Sequence, residues 1–146
     1  MRYIVLILLV FVVGCTEQGT VSTDTAKKIS KEVEVTGGKI IGHARENGLF
    51  EFLGIPFAAA PVDELRWQPP QPVDAWKDER DVTKPGLPCV QPATLSEFYA
   101  RAYTETSEDC LTLNVWTRAS TTKDKIPVMV WIHGGALVMG SGRDYD

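Results

Sequence analysis

The sequence predicts an α/β fold that, in these 146 residues, is made mostly of strands and loops. Two β-prone runs flank Gly37-Gly38 and a third follows Asn47-Gly48, which is typical of a small antiparallel meander. Cys110–Thr117 alternates in a strand-like way. The run IPVMVWIHGG, residues 126–135, is almost continuously apolar up to its glycines, as in a strand that a parallel or mixed sheet covers on both faces.

Composition limits the classes of function. The chain has 146 residues, 44% hydrophobic and 23% charged, which suits one globular domain. Its net charge of −4 leaves no basic stripe, so we expect no nucleic-acid partner. There is no C-x-x-C motif, and the two histidines, His43 and His133, are far apart in sequence. We therefore expect neither a metal site nor a cofactor.

The N-terminus predicts export. Arg2 precedes an unbroken apolar run from Ile4 to Val13, which is too short to span a bilayer and suits a signal peptide over residues 1–14. The ending VVGC is similar to a bacterial lipobox, which implies lipidation of Cys15 and a membrane-anchored lipoprotein. The alternative is an ordinary signal peptide and a secreted protein. Residues 15–32 would form a flexible tether, with a short helix near TAKKISKEV as the alternative.

Residues 33–146 are predicted to be folded. After the third strand, five prolines between positions 56 and 72 predict an extended, ordered loop. Trp67 and Trp76 in this part of the chain suggest that the loop packs against the rest of the protein. The charge run KDERDV that follows is expected to be a solvated face.

The predicted export also bears on the state of the three cysteines. With Cys15 assigned to lipid, Cys89 and Cys110 are left, and two cysteines in an oxidising compartment most simply form one disulfide.

The stretch HGGALVMGSG, residues 133–142, carries the chemistry. It lacks the Lys-Ser/Thr of a phosphate-binding P-loop, and no register gives the dinucleotide motif G-x-G-x-x-G. What remains is a loop of small residues whose backbone N–H groups can point into a cleft. Such donors stabilise the oxyanion that develops on an ester carbonyl during acyl transfer, as in the HGGG-type element of lipases and esterases.

Four blocks carry a family resemblance: FLGIPFAAAPVDELRWQPPQPVDAW, PCVQ, SEDCLTLNVWT and IPVMVWIHGGALVMGSG. Together they resemble the N-terminal part of the type-B carboxylesterases, the cholinesterase-like branch of the α/β-hydrolases, from about Val33 onward. The resemblance implies the N-terminal part of an α/β-hydrolase fold. It also implies a serine ester hydrolase that acts on small carboxylic esters.

The resemblance implies roles for the residues of HGGA. Gly135 and Ala136 would give the N–H donors of the oxyanion hole, Gly134 would support the turn, and His133 would be structural. Ala136 replaces the commoner third glycine, and a Cβ is costly at positive φ. We therefore predict a negative φ at Ala136. Leu137 replaces an aromatic residue, so the wall of the acyl pocket would differ.

The resemblance also implies two structural pairs. Cys89 and Cys110 match a disulfide that closes a loop over the active-site gorge. In cholinesterases this loop carries a choline-binding Trp, which residues 90–109 lack, although Phe98, Tyr99 and Tyr103 could substitute. Glu108 resembles the acid that pairs with Arg66, and the alternative for it is a solvated carboxylate.

The residues that would attack an ester are absent from the sequence, because no G-x-S-x-G elbow occurs in it. We expect a truncated carboxylesterase domain that is inactive alone. An apolar central strand would be left uncovered, which predicts instability or aggregation. Two alternatives remain: an inactive relative used in binding or adhesion, or a small freestanding lipoprotein.

Overall fold

The computed structural model describes residues 31–93, 97, 103–119, 121 and 124–145. The predicted signal peptide, Cys15 and nearly all of the tether lie outside the described residues, as do Phe98 and Tyr99. Within the described part, no helix is long and apolar enough to cross a membrane.

The first sheet contains the predicted N-terminal hairpin. Strands β1 (Glu32–Val35) and β2 (Gly38–Ile41) pair antiparallel around the Gly-Gly turn. In β1 the valines are part-buried and the glutamates exposed, so the alternation of the sequence sets which face meets the core. The short strand β5 (Arg80–Asp81) joins the other edge of β2 in parallel.

The second sheet is built from β3 (His43–Ala44), β4 (Phe50–Pro56) and β6 (Thr112–Thr117), all antiparallel, with β4 in the centre. The predicted third strand is therefore present as β4, and the strand predicted within Cys110–Thr117 is present as β6. The prediction of a single meander is wrong, because the hairpin and β4 belong to different sheets. The free edge of β2 is taken by β5, and β4 pairs on both sides with other strands.

Val82 joins the two sheets. Its N–H donates to the carbonyl of Ile41 at the end of β2, and its carbonyl accepts from Leu53 N–H in β4 at 2.6 Å. Its side chain is 1% exposed and packs in the core with Ile40 and Phe52. Val82, the last residue of KDERDV, is thus a core residue, so the prediction of a solvated face is wrong there. Arg80 and Asp81 are exposed as expected.

The two tryptophans of the proline-rich loop behave differently. Trp76 packs on the core, donates from Nε1 to the Lys39 carbonyl at 2.7 Å, and lies under the guanidinium of Arg80. Trp67 is 94% exposed, so the expectation that it packs is wrong among the described residues. It follows a 3₁₀ turn (Asp63–Leu65) and has a φ of 65°.

The apolar run before the glycines does not form the predicted strand. Residues 124–134 are not in a strand, and no described strand pairs with them. Val128 is 85% exposed and Ile132 84%. A strand needs a neighbouring strand for its ladder of hydrogen bonds, so an apolar sequence without a described neighbour is not a strand.

A bulge in β4 brings the second sheet toward the C-terminal segment. Phe52 faces Val115 and Ile55 faces Leu113, so three steps along β4 match two along β6. Gly54, inside this irregularity, has a φ of 74°, and a Cβ there would lie 2.7 Å from the Lys84 carbonyl oxygen. Its N–H donates to Oδ1 of Asn114 at 2.9 Å.

Glu51 is a buried carboxylate on β4, 5% exposed. Arg45 lies 2.5 Å from its Oε1, and Nε1 of Trp116 donates to the same oxygen at 3.0 Å. These hydrogen bonds, that of Arg45 first, lower the pKa of Glu51 against the opposing effect of burial. His43, which pairs with Glu51 in the register of β3 and β4, also lowers the pKa of Glu51 through a smaller Coulombic effect.

Replacing Glu51 by Gln should lower the free energy of unfolding by about 1.5–3 kcal/mol at pH 7, the usual range for hydrogen bonds to charged groups. Because folding lowers this pKa, the stabilisation is complete above the unfolded value of about 4.3 and is lost as pH falls through the folded value. Urea unfolding between pH 7 and pH 3 should show the deficit shrinking below about pH 5. Glu46→Gln, an exposed control, should lower the free energy of unfolding less than Glu51→Gln does at pH 7. A deficit for Glu51→Gln that stays constant with pH would contradict this account.

Candidate functional site: a glycine loop after an apolar segment

The predicted site residues lie in one turn, here called the glycine loop (residues 133–140). The carbonyl of Gly135 accepts from the N–H groups of Val138 and Met139, at 3.0 and 3.1 Å. Gly135 has a φ of 136°, and a Cβ at this position would lie 1.8 Å from the Met139 carbonyl oxygen. Any side chain here would therefore disrupt the turn.

Ala136 has a φ of 53°, so the prediction of a negative φ is wrong. Leu137 follows with a φ of 62°. Positive φ at both central residues of a hydrogen-bonded four-residue turn is characteristic of type I′. Ala136 and Leu137 both carry a Cβ, so the left-handed geometry costs about 1–2 kcal/mol for each of them.

The N–H groups of Gly135 and Ala136 have no acceptor among the residues that the structure describes. Gly135 is part-buried and Ala136 exposed. Nδ1 of His133 lies 2.8 Å from the carbonyl oxygen of Gly134, so in this loop the histidine makes a local contact. The arrangement offers two adjacent backbone donors that a small anionic group could reach.

The segment after the loop is capped and anchored. Ser141 and Asp144 form a capping box on a 3₁₀ turn (Gly142–Asp144). Tyr103 Oη donates to Oδ2 of Asp144 at 2.5 Å. Asn114, which already accepts from the β4 bulge, donates from Nδ2 to the Gly142 carbonyl at 3.1 Å.

Gln91 contacts the end of the glycine loop at two points. Its Oε1 accepts from Gly140 N–H at 2.8 Å, and its Nε2 donates to the Gly140 carbonyl at 3.2 Å. The same Nε2 lies 3.1 Å from the carbonyl oxygen of Cys89. The side chain therefore binds both polar backbone groups of one loop residue.

Both structural pairs that the resemblance implied are present. Cys89 and Cys110 form a disulfide with their Cα atoms 5.1 Å apart. Arg66 and Glu108 make a two-point pair, from Nε to Oε1 and from Nη2 to Oε2, each 2.6 Å. This hydrogen bonding by Arg66 lowers the pKa of Glu108. Both side chains remain nearly half exposed.

The structure brings together residues that sequence reasoning left without a role. Gln91 stood in the PCVQ block, and its partner is 49 positions away. Asn114 and Tyr103 contact residues 28 and 41 positions away, and no spacing rule predicts such pairs. Tyr103, suggested as a substitute for a choline-binding Trp, has its hydroxyl on Asp144. The described residues contain no group of three or more His, Cys, Asp or Glu suited to a metal.

Comparisons with known proteins agree on one family. The sequence profile of the carboxylesterase family matches residues 29–146. The chain is 42% identical over 121 residues to the medium-chain fatty acyl-CoA hydrolase precursor of Anas platyrhynchos, a match covering 77% of this chain and 22% of that protein. It is 43% identical over 114 residues to the para-nitrobenzyl esterase of Bacillus subtilis (strain 168), covering 75% and 22%.

Solved structures give the same result for the fold. The crystal structure of the Geobacillus stearothermophilus carboxylesterase EST55 superposes with a TM-score of 0.64 at 43% identity. The match covers 76% of this chain and 21% of the carboxylesterase. The predicted fold class, an N-terminal part of the α/β-hydrolase fold, is thereby confirmed. The chain spans just over a fifth of the length of these relatives.

Ala136→Gly should raise the free energy of unfolding by about 1 kcal/mol, because glycine adopts a φ of 53° without the Cβ penalty. The matched control is Ala75→Gly, at an exposed position without positive φ. It should lower stability by about 0.4–1 kcal/mol through the entropy of the unfolded chain. Chemical denaturation of both variants measures the difference. Equal destabilisation by the two substitutions would contradict the left-handed geometry at Ala136.

Proposed function

The chain belongs to the carboxylesterase family, and on that premise we propose that it supplies the oxyanion-binding loop of a carboxylic ester hydrolase. The observation that carries the proposal is the pair of N–H groups on Gly135 and Ala136, which have no acceptor among the described residues. A Cβ built at Gly134, the residue before the first donor, would have no atom within 4 Å, so there is open space beside this end of the loop. A substrate carbonyl needs such space to approach backbone donors closely.

The chemistry that these donors would serve is acyl transfer. A serine Oγ would bond to the ester carbonyl carbon while its proton passes to a base, and the C=O electron pair would move to the oxygen. The N–H groups of Gly135 and Ala136 would stabilise that oxyanion. When the pair returns, the bond to the alcohol breaks and the alcohol leaves with the proton. Water then releases the acid from the acyl-enzyme by the same two steps.

Part of this machinery is not in the sequence. The 146 residues contain no G-x-S-x-G elbow, so the proposal assigns no nucleophile, acid or base to this chain. We expect no ester turnover from residues 1–146 alone. The activity proposed is that of a protein in which this segment and a serine elbow occur together.

The substrate class follows from the chemistry that the relatives share. One is named as a fatty acyl-CoA hydrolase and another as a para-nitrobenzyl esterase. A thioester and an oxygen ester both react through a tetrahedral oxyanion, which is the species that backbone donors recognise. We propose a small carboxylic ester as the substrate of this protein.

Ala136→Pro tests the donor, because proline lacks the N–H group and cannot adopt positive φ. In the ester-hydrolysing protein that carries this segment, kcat should fall by about 10²–10³, the usual cost of losing one oxyanion donor. Ala136→Gly keeps the N–H and suits the backbone, so its kcat should stay within about threefold of the unsubstituted protein. Steady-state hydrolysis of a chromogenic ester measures both. Undiminished turnover by Ala136→Pro would refute the role.

We also propose that residues 1–14 direct export and that Cys15 is lipidated, on the basis of the short apolar run and the VVGC ending. In a bacterial host, Cys15→Ser should abolish incorporation of labelled palmitate. It should also move the protein out of the membrane fraction, because lipid chains on Cys15 would be its anchor. Ser22→Ala, in the predicted tether, should retain the label. Labelling of Cys15→Ser at the unsubstituted level would exclude lipidation of Cys15.

A further inference from the structure

We propose that Gln91 is a positioning residue that holds the glycine loop in the orientation needed for oxyanion binding. The inference rests on the function proposed above. It starts from the two-point contact of Gln91 with Gly140, in which one amide binds both the N–H and the carbonyl of the loop residue. The N–H and the carbonyl belong to the two peptide groups that flank the Gly140 Cα, so a two-point contact restrains both groups, and with them the backbone angles of Gly140.

The contact acts on the part of the loop that carries the donors. Gly140 has a φ of 99°, a conformation that glycine adopts readily but that nothing in glycine itself selects. A Cβ there would lie 2.7 Å from the Gly134 carbonyl oxygen and 2.8 Å from Nδ1 of His133. The end of the loop is therefore packed closely against its beginning. A shift of Gly140 would be transmitted to Gly134, the neighbour of the first donor.

Gln91 is itself tied to the second sheet. Its Nε2 also contacts the carbonyl of Cys89, and Cys89 is bonded to Cys110. Cys110 stands two residues before β6 begins at Thr112. A connected path thus runs from the sheet through the disulfide and the Gln91 amide to the end of the glycine loop.

The predicted kinetic signature follows from the position of Gln91. The contact is made with the loop and not with substrate, so binding of the ester in its ground state should change little. The oxyanion exists only in the transition state, so a displaced donor should lower kcat. A misplacement of about 1 Å can cost about 10²-fold in rate.

The test compares Gln91→Ala with Gln71→Ala in the ester-hydrolysing protein that carries this segment. Gln71 is exposed, and its side chain donates only to the nearby Pro69 carbonyl. Gln91→Ala should lower kcat about 10- to 100-fold with KM within about threefold. Its affinity for a trifluoromethyl ketone, which forms a tetrahedral adduct, should fall by the same factor as kcat/KM. Gln71→Ala should leave kcat, KM and the affinity for the trifluoromethyl ketone unchanged.

Gln91→Glu is a second test variant, for use if Gln91→Ala does not fold. It keeps an acceptor for Gly140 N–H but places a second carboxylate oxygen where Nε2 faces two carbonyls. Relative to Gln71→Glu, its deficit in kcat should shrink as pH falls toward about 4.3, where the carboxyl gains a proton to donate. A merely structural role would not produce this dependence.

Hydrogen exchange at the Gly140 amide reports on the Gln91–Gly140 contact independently of ester hydrolysis. In Gln91→Ala this amide should exchange at least about tenfold faster than in the unsubstituted protein, because its acceptor is gone. If the unsubstituted protein hydrolyses esters and the Gln91 variants match the Gln71 variants, the positioning role is wrong and the proposed function stands. If exchange accelerates but the unsubstituted protein hydrolyses no ester, the proposed function fails, and with it any role of Gln91 in that reaction.

Discussion

The fold depends on Val82, where the two small sheets meet. Its N–H and carbonyl bond to β2 on one side and to β4 on the other, and its side chain fills the core between Ile40 and Phe52. Neither sheet has more than three strands among the described residues, and sheets of that size need a packed apolar face to be stable. Full burial of a valine contributes about 1.5–3 kcal/mol. The same residue therefore supplies the shared core and fixes the relative position of the sheets.

Two chains of contacts connect the sheets that meet at Val82 to the glycine loop and the residues after it. One passes from the β4 bulge at Gly54 through the Asn114 side chain to the Gly142 carbonyl. The other passes through the disulfide and Gln91 to Gly140. The first reaches Gly142 just after the loop and the second reaches Gly140 at its end, and neither contacts Gly135 or Ala136. The N–H groups of Gly135 and Ala136, which are the proposed oxyanion donors, are thus left out of both sets of contacts.

Sequence predicted the elements whose cause is local. The hairpin follows from Gly-Gly between β-prone runs. The failures share a different cause. Val82 ends the charge run KDERDV and was predicted to be part of a solvated face, yet strands from both sheets pack against it. Trp67 looked like a packing residue, but an aromatic side chain packs only where the chain brings it a partner. The apolar run of residues 126–135 lacked a described strand to pair with.

The φ of Ala136 shows why such loops cannot be derived from their own residues. The intrinsic preference of alanine is for negative φ, and a left-handed residue costs about 1–2 kcal/mol. Leu137 also has a positive φ, and its side chain is fully exposed. Burial of this side chain therefore does not offset the cost of its left-handed backbone. The stabilisation must come from the Gly135 turn and from the contacts of Gln91 and Asn114 beyond it. Strain of this kind persists where the surroundings over-determine the backbone, and it concentrates at functional sites. The conformation that leaves the N–H groups of Gly135 and Ala136 without a described acceptor thus depends on Gln91 and Asn114, which lie outside the loop.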